Sequence, residues 1–434
     1  MDFSPAWTLS LSFIALMAIG MPISHATGLS AILALLTLMP AMPAIAVSAQ
    51  RLATGLDSFA LLAIPFFFMA GMIMNRGGIA RRLIAFATIF VGWMPGALAH
   101  VTILANMLFG TVSGSAVAAA SAIGGTMQPQ MNKAGYDRSF SAAVNISSCI
   151  TGLLIPPSGA FVLYSLVSGG TSIAALFLAG YIPGTLLGLA VMIPAWIMAK
   201  KLGYERLPVL TRKQIIHATI DALPSIGLII VIIGGIVAGV FTATEASAIA
   251  VVYALVLALG IYRELKVSDL YAIVVDSIEA TAVVSLMVGT SLAMAYVMSL
   301  AEIPEIIGTW IRSVSDNKYV ALVLVNIVLL LMGTFLDLTP GILIFTPIFL
   351  PVLQGLGVDP VHFGVILVMN MCLGIVSPPT GSALFIGCAI AKVSIEQVTR
   401  PLIPMFIWSM GALLIVTFIP ALSLWLPRLF GFIP

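Results

Sequence analysis

The sequence predicts an all-α polytopic membrane protein, built as an inverted repeat with two re-entrant helical hairpins and two broken helices. Three observations predict it. The first is composition. Of 434 residues, 61% are hydrophobic and 8% charged, with a mean hydropathy of +1.18, whereas soluble globular chains are about a quarter charged. Apolar runs approach or exceed the ~20 residues that cross a bilayer as helix. Membrane barrel strands would instead alternate in short segments. The second is a repeat of helix breakers. At a shift of 222 residues, Pro129 matches Pro351, Gly135 matches Gly357, Asp137 matches Asp359 and Gly152 matches Gly374. Pro156-Pro157 match Pro378-Pro379, Gly159 matches Gly381, and Ser172-Ile173 match Ser394-Ile395. A slip of one residue adds Gly110-Thr111 against Gly333-Thr334. Proline and glycine interrupt helices, and duplicated interruptions in an apolar chain are the pattern of a transport site.

The third observation is charge. Short cytoplasmic loops carry an excess of Lys and Arg. The central loop, with Lys200, Lys201, Arg206, Arg212 and Lys213, is taken as inside. Counting spans outward then puts Lys133 and Arg138 of the first copy inside, together with Arg76 to Arg82 and Arg263 to Lys266. The matching second-copy segment, Gln354 to Pro360, falls outside and has no Lys or Arg. Similar halves of opposite orientation make an inverted repeat.

Taken in order, apolar runs predict spans at 7–23, 29–47 and 59–74, with Arg51 and Asp57 in a polar turn. A basic start and a Trp end make 79–93 a surface-lying arm helix. Two short segments, 97–109 and 117–131, flank the small polar linker 110–115 and form the first hairpin. Non-helical backbone at membrane depth needs protein or a watery cavity around it. A helix over 139–167 is broken at Pro156-Pro157, and 173–198 is an ordinary span. After the loop 200–221 come spans at 226–241, 246–262 and 280–300, then a second arm at 303–315. The second hairpin covers 320–353, with its tip at 337–340. A second broken helix, 361–391, is interrupted at Ser377-Pro378-Pro379-Thr380, and 402–426 closes the chain. The count is ten spans and two hairpins. The organisation is scaffold helices at 1–57, repeat one at 58–198, the loop and connecting helices at 199–275, and repeat two at 276–434. The N-terminal run lacks a basic leader, so it is expected to be a retained span, with both termini periplasmic. Cys149, Cys372 and Cys388 lie in apolar runs without metal spacing and read as small buried hydrophobes. A net charge of +2 gives no reason to expect nucleic acid.

Breaks in membrane helices free carbonyls that coordinate Na⁺ and N–H groups that suit anions. The tips offer Ser113 and Ser115 in one copy, and Asp337 and Thr339 in the other. The broken helices offer Ser147, Ser148, Thr151, Gly152 and Ser158, against Asn370, Gly374, Ser377 and Thr380. Such oxygen-rich, nearly uncharged sets suit a monovalent hard cation better than Ca²⁺ or a transition metal. Small polar residues also serve helix packing. Asp337 is the lone carboxylate at a predicted tip, where it faces Na⁺, carries a proton or caps the next half-helix. Glu245, in Thr242-Ala243-Thr244-Glu245, reads as a cap. No histidine pairs with a tip.

The chain resembles the large membrane subunit of tripartite ATP-independent periplasmic (TRAP) transporters. The resemblance covers nearly the whole chain. It rests on IPFFFMAGMIMNRGG (64–78), FGTVSGSAVA (109–118), MNKAGYDRSFSAAV (131–144), SSCITGLLIPPSGAFVLYS (147–165), TATEASA (242–248) and SPPTGSALF (377–385). One departure is Ala243, where Pro is more usual. The resemblance implies an ion-transporter-like elevator fold and Na⁺-driven, ATP-independent uptake of an organic acid, such as a C4-dicarboxylate or sialic acid, across a bacterial inner membrane. It implies a small four-helix membrane subunit and a periplasmic substrate-binding protein as partners, with membrane lipid around them. Na⁺ sites carry over to Ser113, Gly114, Ser115, Thr151 and Gly152, and to Gly333, Asp337, Thr339 and Gly374. Substrate is expected between the two pairs of breaks. It would lie against Ser148, Pro156, Pro157 and Ser158 on one side, and Asn370, Ser377, Pro378, Pro379 and Thr380 on the other. A stand-alone divalent-anion/Na⁺ symporter is the neighbouring reading. An intramembrane enzyme is disfavoured because Ser113 has no histidine or second aspartate placed to activate it.

Overall fold

Every regular element in the computed structural model is a helix among the described residues, 4–314, 317–378 and 381–433. The chain opens with α1 (Ser4–Ala18) packed on α2 (Ile23–Leu38), followed by α3 (Ala41–Leu56). Hydropathy suggests one span over 29–47, but the structure has two helices with a corner at Met39-Pro40. Pro40 has no N–H to donate and drives Met39 extended, at φ −150° and ψ 161°. Arg51 is therefore helical, not in a turn, and its guanidinium lies 3.9 Å from the Tyr296 ring centroid.

After a 3₁₀ turn at Phe59–Leu62 comes α4 (Ala63–Arg76), then the arm α5 (Ile79–Val91). Next are α6 (Ala97–Ser113), α7 (Ala116–Lys133), α8 (Arg138–Ser148), α9 (Gly159–Val167) and α10 (Ile173–Lys201). The break between α6 and α7 is only Gly114 and Ser115; Gly110 to Ser113 are still helical. Gly114 takes φ +61°, the left-handed conformation that ends a helix cheaply only for glycine.

The central connection is shorter than its polarity suggests. α10 runs to Lys201, and α11 (Arg212–Val237) starts nine residues before the expected end of the loop at Asp221. The start is a capping box, Thr211 with Gln214, which outweighs the charge of the following turn. The same device, Thr242 with Glu245, starts α12 (Ala243–Leu255), so Glu245 is a cap. A π-helical turn, Val256–Ile261, extends α12 before α13 (Val267–Leu300), which begins thirteen residues before its expected start.

The second half contains α14 (Ile303–Val314), α15 (Lys318–Gly333), α16 (Leu338–Gly355), α17 (Pro360–Gly374) and α18 (Ser382–Ala391). It ends with α19 (Ile395–Phe418) and α20 (Ala421–Leu429). The single closing span expected at 402–426 is again two helices, cornered at Ile419-Pro420 for the reason that applies at Pro40. Thr339 and Pro340, expected at a tip, belong to the first turn of α16.

The matched residues do the same backbone work in both copies. Gly135 and Gly357 are left-handed, at φ +79° and +78°. Asp137 and Asp359 cap α8 and α17, accepting from the Phe140 and Val361 N–H groups. Ser172 and Ser394 cap α10 and α19. The repeat is thus a repeat of starts and stops, each cap contributing about 1 kcal/mol.

Among the described residues, seven helical stretches are long and apolar enough to cross a membrane. α1, stopped at left-handed Gly20, and α2, stopped before Pro40, are shorter, and Leu338–Gly355, read as a hairpin arm, qualifies by length and composition. This is a multi-pass membrane protein. The two halves interlock: α9 packs on α16, and α18 packs on α7 and α8. Around them, α4 lies on α12 and α13, while α13 also covers α2 and α3.

Candidate functional site

Two glycine seams hold the helix breaks together. At the first, Gly110 near the end of α6 meets Gly152 in the connection between α8 and α9. A Cβ on Gly152 would stand 2.2 Å from Gly110 Cα and 2.8 Å from Thr111 N. At the second, a Cβ on Gly374 would stand 2.5 Å from both the carbonyl carbon and oxygen of Gly333. In each case backbone meets backbone, which no side chain larger than hydrogen permits. The seams bring Gly152 to the tip of the first helix pair, and Gly374 to the tip of the second.

The polar groups at these seams are mostly buried. Thr151 and Ser158 are fully inaccessible and Ser113 is 4% exposed. The Thr151 hydroxyl donates to the Ser148 carbonyl at 2.6 Å, and the Ser377 hydroxyl donates to the Gly374 carbonyl at 2.7 Å. Ser158 donates to the Leu153 carbonyl, and Ser113 makes a long contact to the Ser115 carbonyl. Each hydroxyl spends its proton on a local carbonyl and keeps its oxygen lone pairs. Ser115 caps α7, accepting from the Ala118 N–H at 3.3 Å. Gly180 and Gly184 of α10 leave room for the Leu154-Ile155 backbone, and Pro156 and Pro157 continue this buried connection. The Pro156-Pro157 peptide is cis.

Asp337 is exposed and caps α16, accepting from the Leu338 N–H at 2.8 Å. The Ser382 hydroxyl, at the start of α18, stands 3.5 Å from the same carboxylate oxygen. Asp337 therefore faces the second break. Thr339 is half-buried in the first turn of α16, and Pro378 is half-buried at the break. Pro379 and Thr380 lie outside the described residues. Among the described residues, no group of three His, Cys, Asp or Glu side chains could hold a metal ion, so the available donors are carbonyls, hydroxyls and single carboxylates.

An asparagine fastens each helix pair to its broken helix. Asn106 of α6 donates to Asn145 Oδ1 at 3.1 Å and to the Ser148 hydroxyl at 2.8 Å. Asn145 in turn donates to the Ala120 carbonyl of α7 at 2.9 Å. In the second half, Asn370 donates to Asn326 Oδ1 at 2.9 Å, and Asn326 donates to Thr417 of α19 at 2.9 Å. Ser148 and Asn370 are fully buried within these networks.

The family model of the tripartite ATP-independent periplasmic transporter, DctM component, matches residues 10–422. The chain belongs to this family. It is 52% identical over 434 residues to the protein YgiK of Salmonella typhimurium, covering 99% of this chain and all of the relative. It is 38% identical to the sialic acid TRAP transporter large permease SiaM of Vibrio cholerae, over 88% of this chain and 90% of that one. It is 37% identical to the C4-dicarboxylate TRAP transporter large permease DctM of Rhodobacter capsulatus, over 96% and 98%. The fold matches the Alcanivorax borkumensis YdaH transporter with a TM-score of 0.65 at 11% identity, covering 99% of this chain and all of that one. The relatives named as TRAP components are permeases, not enzymes.

In this TRAP permease, the structure gathers Ser113, Gly114, Ser115, Thr151 and Gly152 around the first seam. It gathers Gly333, Asp337, Gly374 and Ser377 around the second. Asn106, Asn145 and Asn326 are absent from the sequence reading. For Asn106 and Asn326 the signal was present: each is a lone amide in an apolar helix, where an unmet hydrogen bond is costly and a partner on another helix is to be expected.

Proposed function

We propose that this permease carries out Na⁺-coupled uptake of an organic acid across the bacterial inner membrane by an elevator mechanism. The observation that carries the proposal is the pair of glycine seams, each bringing a helix-pair tip against a broken helix. The two pairs, α6–α7 and α15–α16, act as re-entrant hairpins of an inverted repeat, in keeping with the loop charges and the shared cap positions.

Ser113, Gly114, Ser115, Thr151 and Gly152 would hold one Na⁺, and Gly333, Asp337, Thr339 and Gly374 another. The donors fit. They are hard oxygens with at most one formal charge per site, too few for Ca²⁺, and the seam hydroxyls already direct their protons elsewhere. A bound ion would supply positive charge next to the substrate carboxylate. Ser148, Pro156, Pro157, Ser158, Asn370, Ser377, Pro378, Pro379 and Thr380 are the proposed substrate-facing set, with Ser148 and Asn370 acting from within their buried networks. Periplasmic termini, the small four-helix subunit and the periplasmic binding protein complete the assembly. The relatives' names, sialic acid and C4-dicarboxylate, support an organic acid as the substrate class.

The test is reconstitution into proteoliposomes with the small subunit, an inward Na⁺ gradient and radiolabelled succinate or N-acetylneuraminate, with and without the cognate binding protein. Uptake is expected only with both Na⁺ and the binding protein. Uptake by the permease alone would replace the tripartite reading with a stand-alone symporter. Uptake that ignores Na⁺ would remove the coupling.

A further inference from the structure

Among the described residues, the ion pairs are concentrated at one corner. Among the described residues, all of them join 76–82 to the segment 221–276. Their centre is Arg82, in the first turn of α5, whose side chain is only 9% exposed. Its Nε meets Asp221 of α11 at 3.1 Å, and one terminal nitrogen meets Glu264 at 2.9 Å. The same nitrogen donates to the Gly78 carbonyl at 2.9 Å, and the guanidinium lies 3.6 Å from the centroid of the Tyr262 ring. Arg81 also pairs with Glu264. Gly78 is left-handed, and a Cβ there would collide with the Glu264 carboxylate, which therefore sits against the N-terminus of α5, where a helix favours negative charge.

The far end of α5 is built differently. Gly92 accepts from the Leu207 N–H at 3.1 Å, and Gly96 donates to the Tyr204 carbonyl at 3.2 Å. The α5–α6 turn and the α10–α11 loop thus run side by side. Among the described residues no ion pair anchors the second arm: α14 buries only Gly308 and Ile311, where α5 buries seven residues. Where α14 packs on α16, a 210 Å³ cavity lined by Glu305, Arg312 and Pro351 leaves part of their contact unfilled.

We infer that Arg82 is a positioning residue that makes the first arm part of the scaffold, confining the bending of the elevator on that side to the paired segments 92–96 and 204–207. The second arm is the compliant one. The inference rests on the elevator reading above, and names the hinge within it. A guanidinium suits the task because its fork reaches two carboxylates from separate nitrogens and a carbonyl from one of them, whereas a lysine has a single nitrogen.

Pulsed electron paramagnetic resonance on the reconstituted full chain tests it, with spin labels at exposed positions. One pair is Ala85→Cys with Ile220→Cys, from α5 to α11. The other is Ala85→Cys with Gln130→Cys, from α5 to α7. Between Na⁺ and K⁺ buffers, the first distance is expected to stay fixed and the second to change. A first distance that moves with the second would overturn the hinge while leaving the elevator intact. If neither moves, the rigid-body motion fails and the hinge with it. In the Arg82→Gln variant, the first distance distribution should broaden. With whichever of succinate or N-acetylneuraminate supports uptake, maximal velocity should fall about tenfold at unchanged KM, equal to ~1.4 kcal/mol of barrier. Arg82→Lys should recover part of the loss, and Arg76→Gln, at an exposed pair, should change little. A raised KM at unchanged velocity would overturn the positioning role.

Discussion

Replacing Gly152 by alanine tests the seam most directly. The new methyl would sit 2.2 Å from Gly110 Cα, 2.5 Å from its carbonyl carbon and 2.8 Å from Thr111 N, whereas ordinary contact begins at 3.4 Å. All three neighbours are backbone of α6, so no rotamer change can relieve the overlap. The helix pair must back away from the broken helix by about an ångström, and overpacking of this kind costs about 1–3 kcal/mol. The same displacement pulls Ser113 and Ser115 away from Thr151, so coupling should fail along with stability. The measurements are apparent melting temperature in detergent and Na⁺-dependent uptake in proteoliposomes. Gly125→Ala is the control, since its Cβ meets nothing within 4 Å and alanine in mid-helix should stabilise by ~0.5–1 kcal/mol. A Gly152→Ala protein with wild-type melting and wild-type uptake would refute the reasoning, because it would show that the seam opens without cost.

Three further outcomes are expected. Asp337→Asn keeps a competent helix cap, so stability should change by less than ~0.5 kcal/mol while Na⁺ dependence of uptake weakens; an unchanged Na⁺ response removes Asp337 from the coupling site. Ser115→Ala should depress Na⁺-coupled transport more than Ser139→Ala, a half-buried position in the first turn of α8, and equal effects would assign Ser115 to packing alone. Asn370→Leu leaves the buried Asn326 Oδ1 without its donor, costing about 1–3 kcal/mol; a melting temperature equal to wild type would show that Asn370 contributes nothing to the fold.

The breakers and caps were legible because their meaning is local. Gly135, Asp137 and Ser172 act on backbone within a few residues, so the sequence shows both the residue and its job. The corners at Pro40 and Pro420 were not read, although the same logic applies, because long apolar runs on both sides dominate a hydropathy reading. The early start of α11 was written in Thr211-Arg212-Lys213-Gln214, a capping box obscured by its charges. What no local signal carries is partner choice across the fold. Nothing near Arg82 in sequence names Asp221 or Glu264, and nothing near Asn326 names Asn370 or Thr417.

The interlocking of the halves also sets an order of manufacture. α9 is covered by α16, and α7 and α8 by α18, yet those coverings leave the ribosome only after the whole central connection has been made. Until then, the first half must hold a broken helix in the bilayer with its later neighbour missing. Buried hydrogen bonds within that half, Asn106 to Asn145 and Asn145 to Ala120, are available at once and can hold the shape. The first half is therefore a waiting platform rather than a finished domain, and separately expressed halves should complete the fold only when they meet in the same membrane.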